Sequence, residues 1–495
     1  MTVGMGYSHS SVFYPAVVLK DKPKPKHPVL LVPGLLTSKL ESWSILKDSC
    51  EGRLGKYFRT PVWTKMTGIL RWFLNGQCIL DYMDVDTKEG RDSPKGYRVR
   101  AATGFEAVDY FIGGYSIWAH VLGNLAAIGY DPSTMSMVPF DWRLGFNMLE
   151  ERDGTFTRMK TEVELLSKKS KEKVVVVTHS MGGNMFLYFM QWVQHEDPNW
   201  FDKYIQSWVS NGTPFLGNVR GISAVLTGYV KESASGQIKY LMDLAMDPNK
   251  RQQTMSHLRS YYAILPMGGN RIWGNKTYNP MLANPNVNAS EMAGGQILTI
   301  FENGESRGAI TADDLQGHIL DKLHPDLQAF ARSLNLKGGT VQEDDKGSWA
   351  NPLASQLPKG NFSIYCMYGV DVPTDLSYSI KETATRYDID VNVKKMGYAN
   401  GGYSLNGDET VPLTSLGYTC QSTWRHNPKY NPHNISIIIK EYPDSKNNSA
   451  THVDLLHHPQ FLTDLISIVT GHHVKEEIHS NLTKIVQNID SQPNE

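Results

Sequence analysis

Apolar residues run in short blocks separated by stretches of helical period. Val29 to Val32 is such a block, followed by Pro33-Gly34, as expected of a buried strand that ends in a loop needing an unhindered backbone. A second block spans Met135 to Phe140. Phe156, Met159, Val163 and Leu166 then recur at spacings of three and four, the period of an amphipathic helix, before the run Val174 to Val177. Beyond Thr178-His179-Ser180-Met181-Gly182-Gly183, a second helical face follows (Phe186, Phe189, Met190, Val193), and Ile205 to Val209 reads as another strand. This alternation predicts an α/β fold with a parallel sheet covered on both faces.

The pattern breaks from about residue 215 to 360, where Gly, Asn, Ser and Met are frequent, and this stretch is read as an inserted cap. Strand character returns at Phe362 to Tyr368 and at Ile435 to Lys440, and a helical run spans Phe461 to Val469. The division expected is an extension and linker (1–27), a first core part (28–214) with an excursion at 40–80, the cap (215–360), a second core part (361–470) and a peripheral helix or tail (471–495). The linker rests on Lys20-Asp21-Lys22-Pro23-Lys24-Pro25-Lys26, which disfavours a helix. Val474, Ile478, Leu482, Ile485 and Ile489 carry a helical period through the tail.

The chain has 495 residues, 49 Lys+Arg against 50 Asp+Glu, and a pI near 7.0, so no basic surface for nucleic acid is expected. Its longest apolar runs fall short of the roughly 18 residues a transmembrane helix needs. Met1 to Val18 lacks the pattern of a secretory signal. The four cysteines are too far apart to form zinc pairs and His-Glu-x-x-His does not occur, so a structural metal is not expected.

Candidate chemistry centres on Ser180. A nucleophilic serine needs a sharp strand-to-helix turn with small neighbours, and Ser180 stands between the Val174 block and a Gly pair. The familiar pattern is Gly-x-Ser-x-Gly; here Thr178 occupies the first Gly position, which predicts crowding, while Gly182 is retained. The plainer reading is a serine that merely caps a helix. Ser116, in Gly114-Tyr115-Ser116, lacks the trailing glycine and the strand before it. A serine hydroxyl needs a histidine to take its proton and an acid to orient that histidine, in the chain order Ser, acid, His. Of the 16 histidines, His452 lies in the loop after the last strand, with His457 and His458 close behind. Asp408, in the turn Asn406-Gly407-Asp408-Glu409-Thr410, is one candidate acid, and Asp371, Asp375, Asp388, Asp390 and Glu409 compete with it. Backbone N–H groups of Met181 and Leu35 are placed to stabilise an oxyanion.

Cys50 and Cys78 bracket Val62, Met66, Ile69, Leu70 and Phe73, which share one helical face, with Trp63 and Trp72 nearby. This reads either as an interfacial lid helix, with Trp63, Trp72 and Phe73 touching the membrane surface, or as a lid packed on its own protein. Sequons at Asn211, Asn275, Asn288, Asn361, Asn434, Asn447 and Asn481 lean toward an oxidising compartment.

With Val32-Pro33-Gly34-Leu35, Phe140-Asp141-Trp142-Arg143-Leu144, His179-Ser180-Met181-Gly182, Gly407-Asp408-Glu409-Thr410-Val411-Pro412 and Thr451-His452-Val453-Asp454 in one order, the chain resembles the lecithin:cholesterol acyltransferase family from about residue 28 to 470. Met181 to Trp192, Leu265 to Asn275 and Tyr365 to Val370 are most similar to its phospholipid:diacylglycerol acyltransferase branch. The resemblance implies an α/β-hydrolase fold with a large cap and a disulfide-closed lid. It implies that Ser180, Asp408 and His452 form the catalytic triad, that Leu35 and Met181 lend the oxyanion amides, and that Asp141, Trp142 and Arg143 shape the pocket wall near the lid. Cys50 is expected to pair with Cys78, and Cys366 with Cys420. The implied activity moves an acyl group from a membrane phospholipid to diacylglycerol, without cofactor, at the lumenal face of the endoplasmic reticulum. The amino-terminal membrane anchor usual in that branch is not matched, so the expectation is a shortened chain or membrane contact through the lid. A phospholipase A or a sterol acyltransferase would use the same triad, and a non-catalytic lipid-binding protein would keep only the fold.

Overall fold

Six strands form a wholly parallel central sheet in this computed structural model: β1 (Val29–Val32), β2 (Met135–Met137), β3 (Val174–His179), β4 (Ile205–Asn211), β5 (Ser363–Val370) and β6 (Ser436–Pro443). Their order is β6-β5-β4-β3-β1-β2. The described residues are 23–43, 58–59, 61–63, 76–108, 116–229, 240, 243–286, 295–302, 305–320, 323–341, 344–383, 386–393 and 397–492.

Alternate residues of each strand enter two separate cores. Leu30, Val32, Val174, Val176, Trp208 and Ile364 face one side, where Phe156, Met159 and Val163 of α2 (Thr155–Ser170) and Phe186 and Phe189 of α3 (Met181–Glu196) pack. Val29, Leu31, Val175, Val177, Val209 and Tyr365 face the other, against α1 (Ala119–Ala127) and α4 (Pro459–Val469). Both faces are dry, which explains why the strands read as unbroken apolar runs. The strand order reverses at β1, whose neighbours are β2 and β3, and the carboxyl ends of strands at such a switch point form a crevice suited to a ligand.

The region read as a cap contains helices Arg220–Thr227, Pro248–His257, Ala312–Leu320 and Pro325–Ser333, and strands Leu298–Glu302 and Glu305–Ile310. These strands join a second sheet with Val372–Glu382, Tyr387–Ile389, Tyr398–Ala399 and Gly402–Gly407. The sheet-forming partners of the insert therefore lie beyond residue 361, in the stretch read as core. Asp371 makes the transfer: its φ of 69° turns the chain out of β5 directly into the second sheet, and its N–H donates to Asn406 Oδ1 at 2.7 Å.

Two elements differ from the periodicity. Val62, read as the start of a helical face, lies in the strand Pro61–Trp63, antiparallel to Leu40–Ser42, where a leading proline is tolerated. The tail becomes helical only at α5 (Leu482–Asp490); residues before it run extended along β6, with Glu441 N–H donating to Glu477 O and Glu477 N–H to Ile439 O. The unpaired edge of β6 supplies those partners, and tertiary pairing outweighs the helical period of Val474 and Ile478. Cys366 of β5 is disulfide-bonded to Cys420. Cys78 is also disulfide-bonded, and its expected partner Cys50 lies outside the described residues, as do Met66, Ile69, Leu70, Trp72 and Phe73. Among the described residues no helix is long and apolar enough to cross a membrane.

Candidate active site

β3 ends at His179 and α3 begins at Met181, so Ser180 alone makes the turn, at φ 56° and ψ −134°. A non-glycine residue in that region is strained, and strain of this kind persists where the surroundings hold it in place. Ser180 N–H donates to Asn211 O at 2.9 Å. A Cβ on Gly34 would stand 2.7 Å from Ser180 Cβ and 2.9 Å from His179 O, and one on Gly182 would collide with the backbone of Val32 and Pro33. The turn and the loop after β1 thus pack backbone to backbone. The expected crowding from Thr178 does not arise at the turn. Its side chain is buried on the β4 side, where Trp208 Nε1 donates to its Oγ1 at 2.9 Å.

The competition among acids is settled by contact. His452 Nδ1 lies 2.7 Å from Asp408 Oδ2, and His452 N–H donates to Asp408 O at 2.7 Å. Asp408 Oδ1 accepts from Thr410 N–H at 3.0 Å and Val411 N–H at 2.7 Å, a turn made by Glu409 at φ 81°. Both residues are buried, so backbone amides rather than water hold the carboxylate. The other acids are engaged elsewhere: Asp371 with Asn406, Asp375 with Tyr378 and Ser404, and Asp388 with Arg386. Asp390 accepts from Asn392 N–H. His452 Nε2 is buried and makes no hydrogen bond among the described residues. The base and the turn meet across Gly212, next in chain to Asn211, where a Cβ would lie 3.2 Å from the His452 ring. His457 instead stacks on His120 at 4.3 Å, and burial, reinforced by His120, lowers its pKa to about 4. His458 packs against Tyr442.

Leu35 follows Gly34 in the loop after β1, whose Gly34 carbonyl accepts from Thr37 Oγ1 at 2.8 Å. Met181 is the first residue of α3, and an N–H there has no intrahelical acceptor and lies at the positive end of the helix dipole. Asp141, Trp142 and Arg143 are all essentially fully buried. Arg143 pairs with Asp141 at 2.6 Å and donates to the carbonyls of Tyr82 and Val99, and Arg152 also reaches Asp141. Burial alone would raise the Asp141 pKa, but the two guanidinium groups outweigh it and hold the carboxyl well below its usual range. Trp142 Nε1 donates to Ser38 O at 3.0 Å. These residues brace the loop after β1 and the segment after Cys78 from behind. The backbone of Trp63 lies opposite Leu40 in the small antiparallel sheet.

Two features escaped the sequence pattern. His179 Nε2 lies 2.9 Å from His452 O. Phe146, Tyr188, Tyr262, Met267, Phe330 and Leu336 line a mostly apolar cavity between core and insert. Neither the contact nor the cavity has a sequence signature, because their parts come from distant segments. Asn211, despite its sequon, is buried beneath Ser180 and is not accessible to a glycan in the folded protein. Among the described residues no group of three or more His, Cys, Asp or Glu is arranged to hold a metal ion.

A serine on a strained strand-to-helix turn and a histidine paired with a buried carboxylate are the side chains that acyl transfer through a covalent serine ester calls for. A family model described as lecithin:cholesterol acyltransferase matches residues 57–459. The chain is 31% identical to the phospholipid:diacylglycerol acyltransferase of Schizosaccharomyces pombe, covering 94% of this chain and 76% of that one. It is 29% identical to phospholipid:diacylglycerol acyltransferase 1 of Arabidopsis thaliana, over 96% and 86%. It is 28% identical to the lysosomal phospholipase A and acyltransferase of Homo sapiens, over 91% and 92%. The chain belongs to the lecithin:cholesterol acyltransferase family.

Proposed function

We propose that this protein is a serine-dependent O-acyltransferase that moves a fatty acyl group from a membrane phospholipid to diacylglycerol, yielding lysophospholipid and triacylglycerol. The observation that carries the reading is the buried His452–Asp408 pair beside the Ser180 turn, in a chain similar over most of its length to proteins named for that reaction. His452 Nε2 takes the Ser180 hydroxyl proton as Oγ attacks the ester carbonyl of the phospholipid. The Leu35 and Met181 N–H groups receive the oxyanion. Collapse breaks the ester bond, and the leaving glycerol oxygen takes the proton from His452 as lysophospholipid departs. In the second half, His452 removes the proton from the diacylglycerol hydroxyl, which attacks the acyl-Ser180 ester. Collapse releases triacylglycerol and returns the proton to Ser180 Oγ. Asp408 holds His452 with Nδ1–H toward itself and stabilises the imidazolium of each step.

Water can replace diacylglycerol in the second half, and the likeness to a lysosomal phospholipase A and acyltransferase makes hydrolysis the second reading. The disulfides support a setting on the lumenal side of the endoplasmic reticulum membrane. Liposomes of acyl-labelled phosphatidylcholine, with and without diacylglycerol, test the proposal. Label is expected in triacylglycerol only when diacylglycerol is present, and in neither case with Ser180→Ala. Label released solely as free fatty acid would replace the transferase reading with the phospholipase.

A further inference from the structure

His179 precedes the nucleophile and is almost fully buried. Its Nε2 lies 2.9 Å from the His452 carbonyl oxygen. A carbonyl can only accept, so Nε2 carries the hydrogen and Nδ1 is bare; this fixes the tautomer. Nδ1 has no hydrogen-bond partner among the described residues and lies 3.4 Å from where a Gly34 Cβ would stand. The ring is 4.9 Å from the ring of His452 and 6.3 Å, edge to face, from Trp118. One imidazole thus touches the strand before Ser180, the loop carrying Leu35 and the segment carrying His452. His179 cannot serve as the base, because its protonated nitrogen is committed to a carbonyl and its bare one faces backbone.

The geometry points to His179 as a positioning residue: its ring N–H, bonded to the His452 carbonyl, holds the base at the nucleophile turn and fixes both against the oxyanion loop. Burial, reinforced by the nearby His452 and His457, lowers the His179 pKa to about 3, so the ring stays neutral at working pH and the bond is not lost by titration. His452 is then held at three points. Its N–H goes to Asp408 O, its Nδ1 to Asp408 Oδ2, and its C=O receives His179. Removing the third leaves Nδ1 paired but frees the backbone to drift, and a displacement near 1 Å at a reacting group costs up to about 10²-fold in rate.

The inference rests on the acyl-enzyme reading of Ser180, and the experiment separates the two. The protein is treated with a fluorophosphonate, and the rate of labelling at Ser180 is measured for wild type, His179→Phe, His179→Gln and His179→Asn. Thermal midpoints and the kcat and KM of acyl transfer are measured alongside. Phe keeps the ring packing without the donor and is expected to label about tenfold slower or worse, with the loss in kcat rather than KM. Gln can reach the carbonyl with its amide N–H and is expected to recover to within about threefold of wild type. Asn is too short to reach and should stay slow, so the Gln and Asn pair decides the matter even if the Phe variant fails to fold. Equal labelling rates for Gln and Asn, or a Phe variant at the wild-type rate, would overturn the inference and leave the acyl-enzyme reading standing. A slow Gln variant with a midpoint lowered in proportion would also overturn it, by showing a packing role. Wild-type protein that takes up no label at Ser180 would overturn the acyl-enzyme reading itself.

Discussion

Gly182→Ala isolates the contact between the nucleophile turn and the oxyanion loop. In an open helix the change would stabilise by up to about 1 kcal/mol, since alanine is the better helix former. Here the new Cβ would stand 2.8 Å from Val32 O, 3.1 Å from Pro33 C and closer still to Pro33 O. Val32 is paired with Thr178 of β3 and Pro33 follows it directly, so the contacts are with main chain and no side chain can swing away to relieve them. The start of α3 must move instead, by about 0.5–1 Å to restore ordinary contact distances. That movement carries the Met181 N–H away from Leu35. Losing one oxyanion donor costs about 10²–10³ in kcat, roughly 2.7–4 kcal/mol, and overpacking costs a further 1–3 kcal/mol of stability, about the range seen in packed cores. Acyl transfer kinetics and denaturant unfolding read the two effects separately. Gly183→Ala is the control, because its Cβ meets the Thr213 side chain, 2.8 Å from Thr213 Cβ, and Thr213→Gly should restore part of the loss. No such partner change can relieve Gly182→Ala. A Gly182→Ala enzyme with kcat within about threefold of wild type and an unchanged unfolding midpoint would show that this backbone contact does not set the position of the Met181 N–H.

Further outcomes follow from the same geometry. Asp408→Asn must turn its amide nitrogen either toward His452 Nδ1 or toward the N–H groups of Thr410 and Val411, so the wrong histidine tautomer or a donor clash results. Single-turnover rates should fall by about 10³–10⁴ with the fold retained. Replacing Cys366 and Cys420 by alanine opens a link between residues 54 apart and should lower stability by about 4 kcal/mol in the chain-entropy account, read by thermal unfolding. Stability should also fall with acid. The His179 pKa is lowered to about 3, so between there and its ordinary value the unfolded chain binds a proton that the folded chain refuses. Stability therefore rises with pH across that window, and His179→Phe should reduce the slope by up to about 1.4 kcal/mol per pH unit, measured by denaturant titration between about pH 4 and 6.

The central sheet was legible because Val174 to Val177 and Val29 to Val32 combine β-branched composition with glycine-bearing turns, and the Phe156 and Phe186 faces keep an undisturbed helical period. Ser180 and His452 could be read from position, since the turn and the last loop have local signatures. Asp408 could not be separated from its rivals by local sequence, because every one of them sits in a polar turn or hairpin; what distinguishes it is contact with a histidine 44 residues away. The second sheet was not legible either. Leu298–Glu302 pairs with Val372–Glu382 across a separation that no local pattern records. Val62 and Val474 show the same limit, where the edges of neighbouring strands outweigh a helical spacing. The motif Asp141-Trp142-Arg143 was recognisable, but its burial was not, because two of its residues are charged and are compensated by each other and by distant partners at Tyr82, Val99 and Arg152.

The proposed chemistry depends on a fatty acyl ester on Ser180. The direct measurement is to mix the protein with phosphatidylcholine liposomes lacking diacylglycerol, quench in acid within the first turnover, digest, and weigh the peptide containing Ser180 by mass spectrometry. A mass increase of one fatty acyl group is expected on Ser180, disappearing when diacylglycerol is added before the quench, with the acyl group recovered in triacylglycerol. Triacylglycerol formed at full rate by a Ser180→Ala protein, or an acyl group found on another residue and chased by diacylglycerol, would contradict it.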